Sequence, residues 1–327
     1  MAAPPGGAVR PDRSTLLAFL GVILFGGVNA VAVKQTVREL DPFWAGAIRF
    51  VLAGLIMAAI VFLTGRAMPR GRSLLGAVVY GALFAVSFGA AYPALREAPA
   101  GTAAVFIAMV PLVTLGLAVA HRQERFRVRG LLGGLVAVVG VAIVFADQIS
   151  ADIPIRALLL FSIAVVSIAE MGIIVKMIPR SDPFATNAVA MLTAAALLLA
   201  VSTVAGESWA LPTQTATWVA IAYLIVLGSV ALFGLFVYAL EHWTASAVSY
   251  SDLLMPLVTI GVAAALTGER VTPSFALGGA VILAGVYIGA FHQTDGTRPA
   301  ATSLAECVPA ETGSTPASQK PPPVGAS

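Results

Sequence analysis

The sequence is poor in charged residues and nearly free of cysteine. Only 11% of its 327 residues are charged, whereas soluble domains carry roughly 25%, so an ordinary soluble fold is excluded. The single cysteine, Cys307, excludes an intramolecular disulfide and a site made of several thiolates. The three histidines lie at predicted helix ends or in the C-terminal region, and no HExxH, GxSxG or P-loop pattern occurs. We therefore predict no cofactor, no metal site and no enzymatic activity.

Apolar residues are what the sequence has in excess. They make up 59% of the chain, give it a mean hydropathy of +0.93 and are spread from Leu16 to Phe291. A soluble core of this size cannot hide so many, so a large share must contact the lipid bilayer. Because a membrane helix needs about 20 apolar residues, the sequence predicts an all-α integral membrane protein with ten transmembrane helices. The predicted spans are 15–33, 43–64, 74–95, 99–120, 128–146, 155–177, 184–205, 216–240, 244–266 and 275–291.

Basic residues indicate how the chain is oriented. On this topology thirteen lysines and arginines lie on the cytoplasmic side and five outside, while Arg49 falls within a helix. Basic residues near helix ends remain cytoplasmic during insertion, so we expect a multi-pass protein of the cell (inner) membrane with both termini in the cytoplasm. This distribution explains the net charge of +3 without a nucleic-acid partner. Residues 1–14 and 292–327 lack apolar periodicity, and we predict that both are disordered tails.

An internal repeat divides the chain into two halves. At an offset of 145 residues, Pro111-Leu-Val-Thr114 aligns with Pro256-Leu-Val-Thr259, and Glu124-Arg125 aligns with Glu269-Arg270. The predicted copies are 15–147 and 155–291. Five helices per copy is an odd number, so the second copy must enter the membrane in the opposite orientation. Inverted repeats of this kind are typical of secondary transporters, whose substrate sites lie between the halves near the bilayer midplane.

An ordered set of residues also occurs in both halves. The first half contains Lys34, Asp41-Pro42-Phe43, Arg49-Phe50, Pro111, Glu124-Arg125, Gly133 and Gly140, and the second contains Lys176, Asp182-Pro183-Phe184, Pro256, Glu269-Arg270 and Gly285. Over residues 15–291 this set resembles the ten-helix EamA-type members of the drug/metabolite transporter superfamily. The resemblance implies secondary export of amino acids, related metabolites or drugs. Two positions depart from the repeat, since Ala190 matches Arg49 and Glu170 matches Asn29.

Two carboxylates within predicted helices are candidate coupling or substrate-binding groups. Glu170 lies inside the sixth helix, where an acidic side chain is costly unless it faces a partner or a water-filled cavity. Asp252 lies in the ninth helix, and Pro256 cannot donate a hydrogen bond to its carbonyl, so a bend is expected there. The two carboxylates lie at similar depth and could attract an amine or share a proton, which makes the proton a candidate coupling ion. Either could instead join two helices by hydrogen bonding.

Further polar residues complete the candidate site. Arg49 could bind a carboxylate or phosphate in a cavity with its two-pronged guanidinium, or it could reach out of the membrane, or neutralise Glu170 or Asp41. The candidate hydrogen-bonding or stacking groups are Asn29, Tyr92, Tyr223, Tyr238 and Tyr250. Tyrosines also lie at membrane interfaces without a role in binding, so that alternative stays open for all four.

Glycines and prolines are candidate packing and hinge residues. Gly134, Gly140, Gly279 and Gly285 allow helices to approach closely, either within one protomer or across a homodimer. Pro111 and Pro256 are predicted to interrupt helices four and nine. Taken together, we predict a secondary transporter that exports amino acids or related small metabolites or drugs by alternating access. A membrane channel and an intramembrane enzyme remain the alternatives.

Overall fold

The fold is helical throughout the described part of the chain. A computed structural model describes residues 12–98, 100–146, 153–179, 181–258 and 273–291, and no strand occurs among them. The prediction of an all-α membrane protein is confirmed. We number the helices α1 (Arg13–Thr36), α2 (Pro42–Leu63), α3 (Arg72–Glu97), α4 (Thr102–Ala120), α5 (Val128–Val144), α6 (Ile155–Met177), α7 (Pro183–Val204), α8 (Thr215–His242), α9 (245–258) and α10 (273–291).

The number of membrane spans remains a prediction. Seven of these described helices, α1 to α4 and α6 to α8, are long and apolar enough to cross a membrane. Helices α5 and α10 are shorter apolar segments, and α9 is described only as far as residue 258. The predicted tails lie mostly outside the described residues. Helix α1 begins at Arg13, two residues before the predicted span, because the Asp12 side chain caps it by accepting a hydrogen bond from the backbone N–H of Thr15 at 2.8 Å.

Helices α2 and α7 are built in the same way. Each begins with a proline that follows an aspartate, Asp41-Pro42 and Asp182-Pro183, because proline suits the first turn of a helix. Each ends before a glycine with positive φ, 65° at Gly65 and 68° at Gly206, a backbone conformation that glycine adopts at little cost. The two helices therefore occupy matching places in the two halves.

These matching helices pack against each other in opposite directions. A Cβ atom added at Gly54 of α2 would lie 2.9 Å from the side chain of Leu192 in α7, and one added at Gly46 would lie 3.2 Å from that of Leu198. As the number rises along α2, the contacted number falls along α7, so the pair is antiparallel. The halves that contain α2 and α7 must then run through the bundle in opposite senses, as an inverted repeat requires.

The same relation holds for α5 and α10, whose contact is lined by glycine. A Cβ atom added at Gly133 would lie 2.6 Å from the carbonyl oxygen of Gly285, and one added at Gly140 would lie 2.8 Å from that of Gly278. This pair is antiparallel as well. The absence of side chains lets the two backbones approach closely, which is how small residues hold membrane helices together.

Several helices are interrupted where they pass through the bundle. Helix α1 turns at Val28, between Arg13–Gly27 and Asn29–Thr36, and α8 contains a π-helical turn at Val226–Ala231. Helix α4 is interrupted at residues 108–109, just before Pro111. In α9 a turn occurs at Tyr250, six residues before Pro256. Interrupted helices release backbone groups from the helical ladder, and such positions are frequently functional.

Candidate functional site

Arg49 lies in the middle of the bundle, and only 1% of it is exposed. Its Nε donates to the Ser229 hydroxyl at 2.7 Å and its Nη2 donates to the Gly228 carbonyl at 2.6 Å. Both acceptors belong to the π-helical turn of α8. Its Nη1 donates a longer hydrogen bond, 3.4 Å, to the hydroxyl of Tyr92 in α3. A residue of the first half is thus held by the interrupted helix of the second half.

The interruption in α1 faces the same turn of α8. The Asn29 amide nitrogen donates to the Gly228 carbonyl at 3.3 Å, and the Tyr223 hydroxyl donates to the Phe25 carbonyl at 2.7 Å. In a continuous helix the Phe25 carbonyl would accept from the backbone N–H of Asn29. The turn at Val28 removes that bond, so the carbonyl becomes available to Tyr223. Asn29 and Arg49 share one acceptor, which places both at the junction of α1, α2 and α8.

Aromatic rings surround the guanidinium. Its Cζ lies 5.0 Å from the ring centre of Phe88 and 5.2 Å from that of Phe50. Phe84 packs edge-on against Phe50 at 5.5 Å and against Phe233 of α8 at 4.5 Å. Ring faces attract a cation, and more strongly in a site without water. The rings also keep the environment of Arg49 apolar, so its charge is poorly screened.

The charge of Arg49 has no counter-ion among the described residues. None of the ion pairs found there includes it. Asp41, one of its predicted partners, instead accepts from Arg96 at 3.4 Å and from Ser208. A buried charge normally requires a paired charge as well as hydrogen bonds. Neutral oxygens and ring faces hold Arg49 here, and an anion would stabilise it further.

Glu170 lies away from this junction. Its carboxylate is 22% exposed and lies 3.3 Å from His121 Nε2, at the end of α4. The possibility that it neutralises Arg49 is therefore not realised in the structure. The described residues contain no group of three or more His, Cys, Asp or Glu side chains that could hold a metal ion.

Asp252 and Tyr250 are neighbours in sequence but differ in their surroundings. Asp252 is half-buried after the turn in α9 and makes no hydrogen bond or ion pair with another described side chain. The Tyr250 hydroxyl donates to the Gly130 carbonyl at 2.8 Å, and its ring lies against Gly289 in the α5–α10 contact. The structure thus places Tyr250 in helix packing rather than beside Arg49.

The remaining predicted residues are spread over the bundle. Tyr238 stacks obliquely on His242 at 4.4 Å, near the end of α8 and away from the π-helical turn. Gly140 and Gly285 pack within the α5–α10 contact, Gly134 lies against Leu112, and Gly279 faces Leu257 at 3.4 Å. These glycines therefore pack within one protomer. Pro111 follows the interruption of α4, and Pro256 lies in the described part of α9.

A cavity of about 140 Å³ opens at the end of the bundle where α6 and α8 end and α7 begins. Its polar lining includes the side chains of Lys176, Ser181, Thr186 and Glu241. Lys176 Nζ donates to the carbonyl of Leu240 at 2.7 Å. The cavity lies at the end of the bundle that contains the first turn of α7. A basic residue, Lys176, and an acidic residue, Glu241, both line it.

Arg49 and Asn29 are predicted from the sequence as site residues, and both contact Gly228 in the structure, whereas Gly228 and Ser229 are not among the predicted residues. The only available signal was a small, polar pair within the apolar run of α8. Their role depends on the π-helical turn and on a contact across about 180 residues of sequence. Neither is visible in local composition.

Comparisons with known proteins agree with this architecture. The profile of the EamA-like transporter family matches residues 13–146 and, a second time, residues 155–290. The chain is 26% identical over 259 residues to the uncharacterized inner membrane transporter YedA of Escherichia coli strain K12, covering 78% of this chain and 83% of that protein. It is also 26% identical over 295 residues to a probable amino-acid metabolite efflux pump of Salmonella typhimurium strain LT2. This match covers 85% of this chain and 95% of that protein. A crystal structure of a protein with 17% identity superposes with a TM-score of 0.72, covering 86% of this chain and 99% of that one, which supports the fold alone.

Proposed function

Because the chain belongs to the EamA-like transporter family, we propose that it is a secondary carrier that exports amino acids or related small metabolites by alternating access. A relative is named as an amino-acid metabolite efflux pump, and this name suggests the solute class. The antiparallel packing of α2 with α7 and of α5 with α10 supports two inverted halves. We place both termini in the cytoplasm on the distribution of basic residues.

The buried, uncompensated charge of Arg49 carries the proposal. Arg49 belongs to the first half, whereas its acceptors Gly228 and Ser229 belong to the second, so the charge lies where the two halves meet. A solute carboxylate can accept two parallel hydrogen bonds from a guanidinium, and such charge-assisted bonds are stronger than bonds to neutral oxygens. Binding would therefore loosen Arg49 from the π-helical turn and connect solute binding to the relative position of the halves.

Protons are the proposed coupling ions. Glu170 is partly exposed and contacts His121, which carries charge only when protonated. Asp252 is half-buried in α9, two residues after the turn that interrupts this helix. Intramembrane carboxylates commonly form proton relays in transporters. Glu170 is the first residue to test because it already contacts a second titratable group.

Flux through the purified protein in proteoliposomes tests this function. Uptake of a panel of amino acids and amines is measured with and without a pH gradient, and with solute preloaded inside the vesicles. We expect saturable uptake that is accelerated by preloaded solute, because a carrier that returns across the membrane with solute bound avoids the slower return of the empty carrier. Ohmic single-channel currents without exchange would favour a channel instead. Uptake by Glu170→Gln that responds to the pH gradient as the wild type does would remove the coupling role of Glu170.

A further inference from the structure

Two residues at matching positions carry opposite charge. Helix α2 is followed by Thr64-Gly65-Arg66 and helix α7 by Ala205-Gly206-Glu207. Both glycines adopt a positive φ, so the backbone leaves each helix in the same way. Arg66 and Glu207 are therefore equivalent residues of the two halves. Since α2 and α7 are antiparallel, they lie at opposite ends of the bundle.

Glu207 binds the N-terminus of α2. Its carboxylate accepts from the backbone N–H groups of Phe43 at 3.1 Å and Trp44 at 2.8 Å, and from the Ser202 hydroxyl at 2.8 Å. The usual capping residue of this helix, Asp41, makes no such bond to it. A carboxylate from the second half thus satisfies the helix end of the first half, where the helix dipole favours negative charge.

The loop after Glu207 is fastened to the same end. The rings of Trp44 and Trp209 stack in parallel at 5.3 Å, and Trp44 Nε1 donates to the Ala210 carbonyl at 2.8 Å. The backbone N–H and hydroxyl of Ser208 donate to the carboxylate of Asp41 at 3.0 and 2.9 Å. The α7–α8 loop therefore covers the end of the bundle where α2 begins. Arg49 lies less than two helical turns along α2 from that end.

Arg66 makes the corresponding contact at the other end. Its Nη1 lies 2.6 Å from the Asp182 carboxylate, and its Cζ lies 4.7 Å from the ring centre of Phe184. Asp182 also accepts from the backbone N–H groups of Phe184 at 2.9 Å and Ala185 at 3.2 Å. Arg66 thus reaches the N-terminus of α7 through the carboxylate that caps it.

The two contacts differ in strength. Glu207 accepts three hydrogen bonds, two of them from a helix N-terminus, whereas the Arg66–Asp182 pair is an ion pair whose side chains are 38% and 21% exposed. Exposed ion pairs stabilise little. The cavity opens at the Arg66 end, beside Pro179 and Ser181. The weaker contact therefore lies at the same end of the bundle as the cavity.

We propose that Arg66 and Glu207 are paired gate residues, each holding one end of the bundle closed, and that the cycle alternates by releasing one contact at a time. This inference rests on the proposed carrier function. Releasing Glu207 weakens the attachment of the α7–α8 loop to α2, which also depends on Trp44 and Ser208, and favours opening of that end toward Arg49. Releasing Arg66 weakens the contact between the α2–α3 loop and α7 at the other end. Substitution at the two positions should therefore shift the carrier in opposite directions.

Thiol accessibility measures each end separately. Ala45 of α2 and Thr186 of α7 occupy matching positions and are 4% and 3% exposed. Ala45→Cys or Thr186→Cys is placed singly in the full-length chain carrying Cys307→Ser, reconstituted in vesicles and labelled with a membrane-impermeant thiol reagent. We expect Glu207→Gln to raise the labelling rate at position 45 roughly 2- to 10-fold, because the amide keeps one acceptor oxygen but loses the other and the charge, and to lower the rate at position 186. Arg66→Gln should change both rates in the opposite sense, by a smaller factor.

Control substitutions separate gating from general loosening. Glu97→Gln removes a carboxylate that pairs with Arg156 at 3.1 Å, and Arg70→Gln removes an exposed guanidinium, so neither should shift the ratio of the two rates. Glu207→Asp, which keeps the charge on a shorter side chain, should give an intermediate shift if Glu207→Gln does not fold. Faster labelling at both positions, or an unchanged ratio, in the gate variants would overturn the proposal. If solute uptake by the same vesicles stays saturable in that case, the carrier function stands and only the gate assignment fails.

Discussion

The carbonyl of Gly228 brings two polar side chains of the candidate site together, because it accepts hydrogen bonds from both Arg49 and Asn29. A Cβ atom at this position would overlap the Asn29 amide oxygen, which is the end of a flexible side chain, so Asn29 would have to move. The observed position of the Asn29 side chain therefore depends on glycine at residue 228.

Gly228→Ala should push the Asn29 side chain away from the Gly228 carbonyl and disturb the Arg49 site. We expect a loss of about 0.5–1.5 kcal/mol in the free energy of unfolding, since about one hydrogen bond is lost. Transport should fall by more than the stability loss explains. The matched control is Gly234→Ala in the same helix, where the nearest atom to an added Cβ lies at 3.9 Å. Thermal unfolding in detergent and uptake in vesicles check both variants, and equal behaviour of the two would contradict the role of Gly228.

A candidate residue could be predicted from the sequence only where a polar or charged side chain interrupts an apolar run. Arg49 stands out as an arginine within an apolar run, and Asn29 falls at a polar position of the first helix. The acceptors Gly228 and Ser229 could not be predicted, because a π-helical turn and a contact between the halves decide their role. Tyr250 was a reasonable candidate by composition, but its hydroxyl bonds the Gly130 carbonyl in helix packing.

At the scale of helices, the α5–α10 contact depends on close backbone approach. A Cβ atom added at Gly140 would lie 2.7 Å from the backbone nitrogen of Ile282. Backbone atoms cannot move aside as the end of a flexible side chain can. Helix packing at this contact should therefore tolerate no larger residue.

Gly140→Ala should destabilise the bundle by about 1–3 kcal/mol through overpacking. Gly116→Ala is the control, because no atom lies within 4 Å of a Cβ added at this exposed position of α4. Alanine there should leave stability unchanged or raise it by up to about 1 kcal/mol, since alanine favours helix. Unfolding midpoints in detergent decide the matter, and an unchanged midpoint for Gly140→Ala would contradict the packing described.

The attachment of the α7–α8 loop should depend on pH through Asp41. Hydrogen bonds from the hydroxyl and backbone N–H of Ser208, assisted by Arg96, lower the pKa of Asp41 below its usual 3.8. A lowered folded-state pKa means that the carboxylate stabilises the fold fully above pH 3.8, and that this contribution is lost as the pH falls below that value. We expect the wild-type unfolding midpoint to fall more steeply than that of Asp41→Asn between pH 5 and pH 3. Parallel pH profiles for the two proteins would show that Asp41 does not hold the loop.

At the scale of the whole molecule, the repeat is the feature that sequence predicts best. Composition predicts helices, and the 145-residue offset predicts two copies of opposite orientation, because an odd number of helices reverses the second copy. The antiparallel packing of α2 on α7 agrees with that expectation. Sequence could not predict that Glu207 accepts from the N-terminus of α2 or that Arg66 pairs with Asp182, since these contacts join residues that are far apart in the chain.

Disulfide formation tests the opposed arrangement of the halves. In a Cys307→Ser background, the pair Gly54→Cys with Leu192→Cys should form a crosslink readily on oxidation, because a Cβ atom at Gly54 lies close to the Leu192 backbone. The pair Gly46→Cys with Leu198→Cys should form one more slowly, because only the end of the Leu198 side chain makes that contact. The exchanged pair Gly54→Cys with Leu198→Cys serves as the control and should not. Mobility shifts on non-reducing gels report the result. Efficient crosslinking of the exchanged pair, with none in the other two, would indicate parallel packing and contradict the inverted repeat.

Exchange in proteoliposomes tests whether Arg49 binds the carboxylate of an exported solute, as we propose. Uptake of a labelled amino acid into preloaded vesicles is compared with uptake of the amine that lacks only the carboxylate, for the wild type and for Arg49→Lys. We expect the wild type to prefer the amino acid, and Arg49→Lys to lose at least about tenfold of that preference, because lysine keeps the charge but lacks the two-pronged geometry. Equal uptake of the amino acid and the amine by the wild type, or an unchanged preference in Arg49→Lys, would contradict the claim.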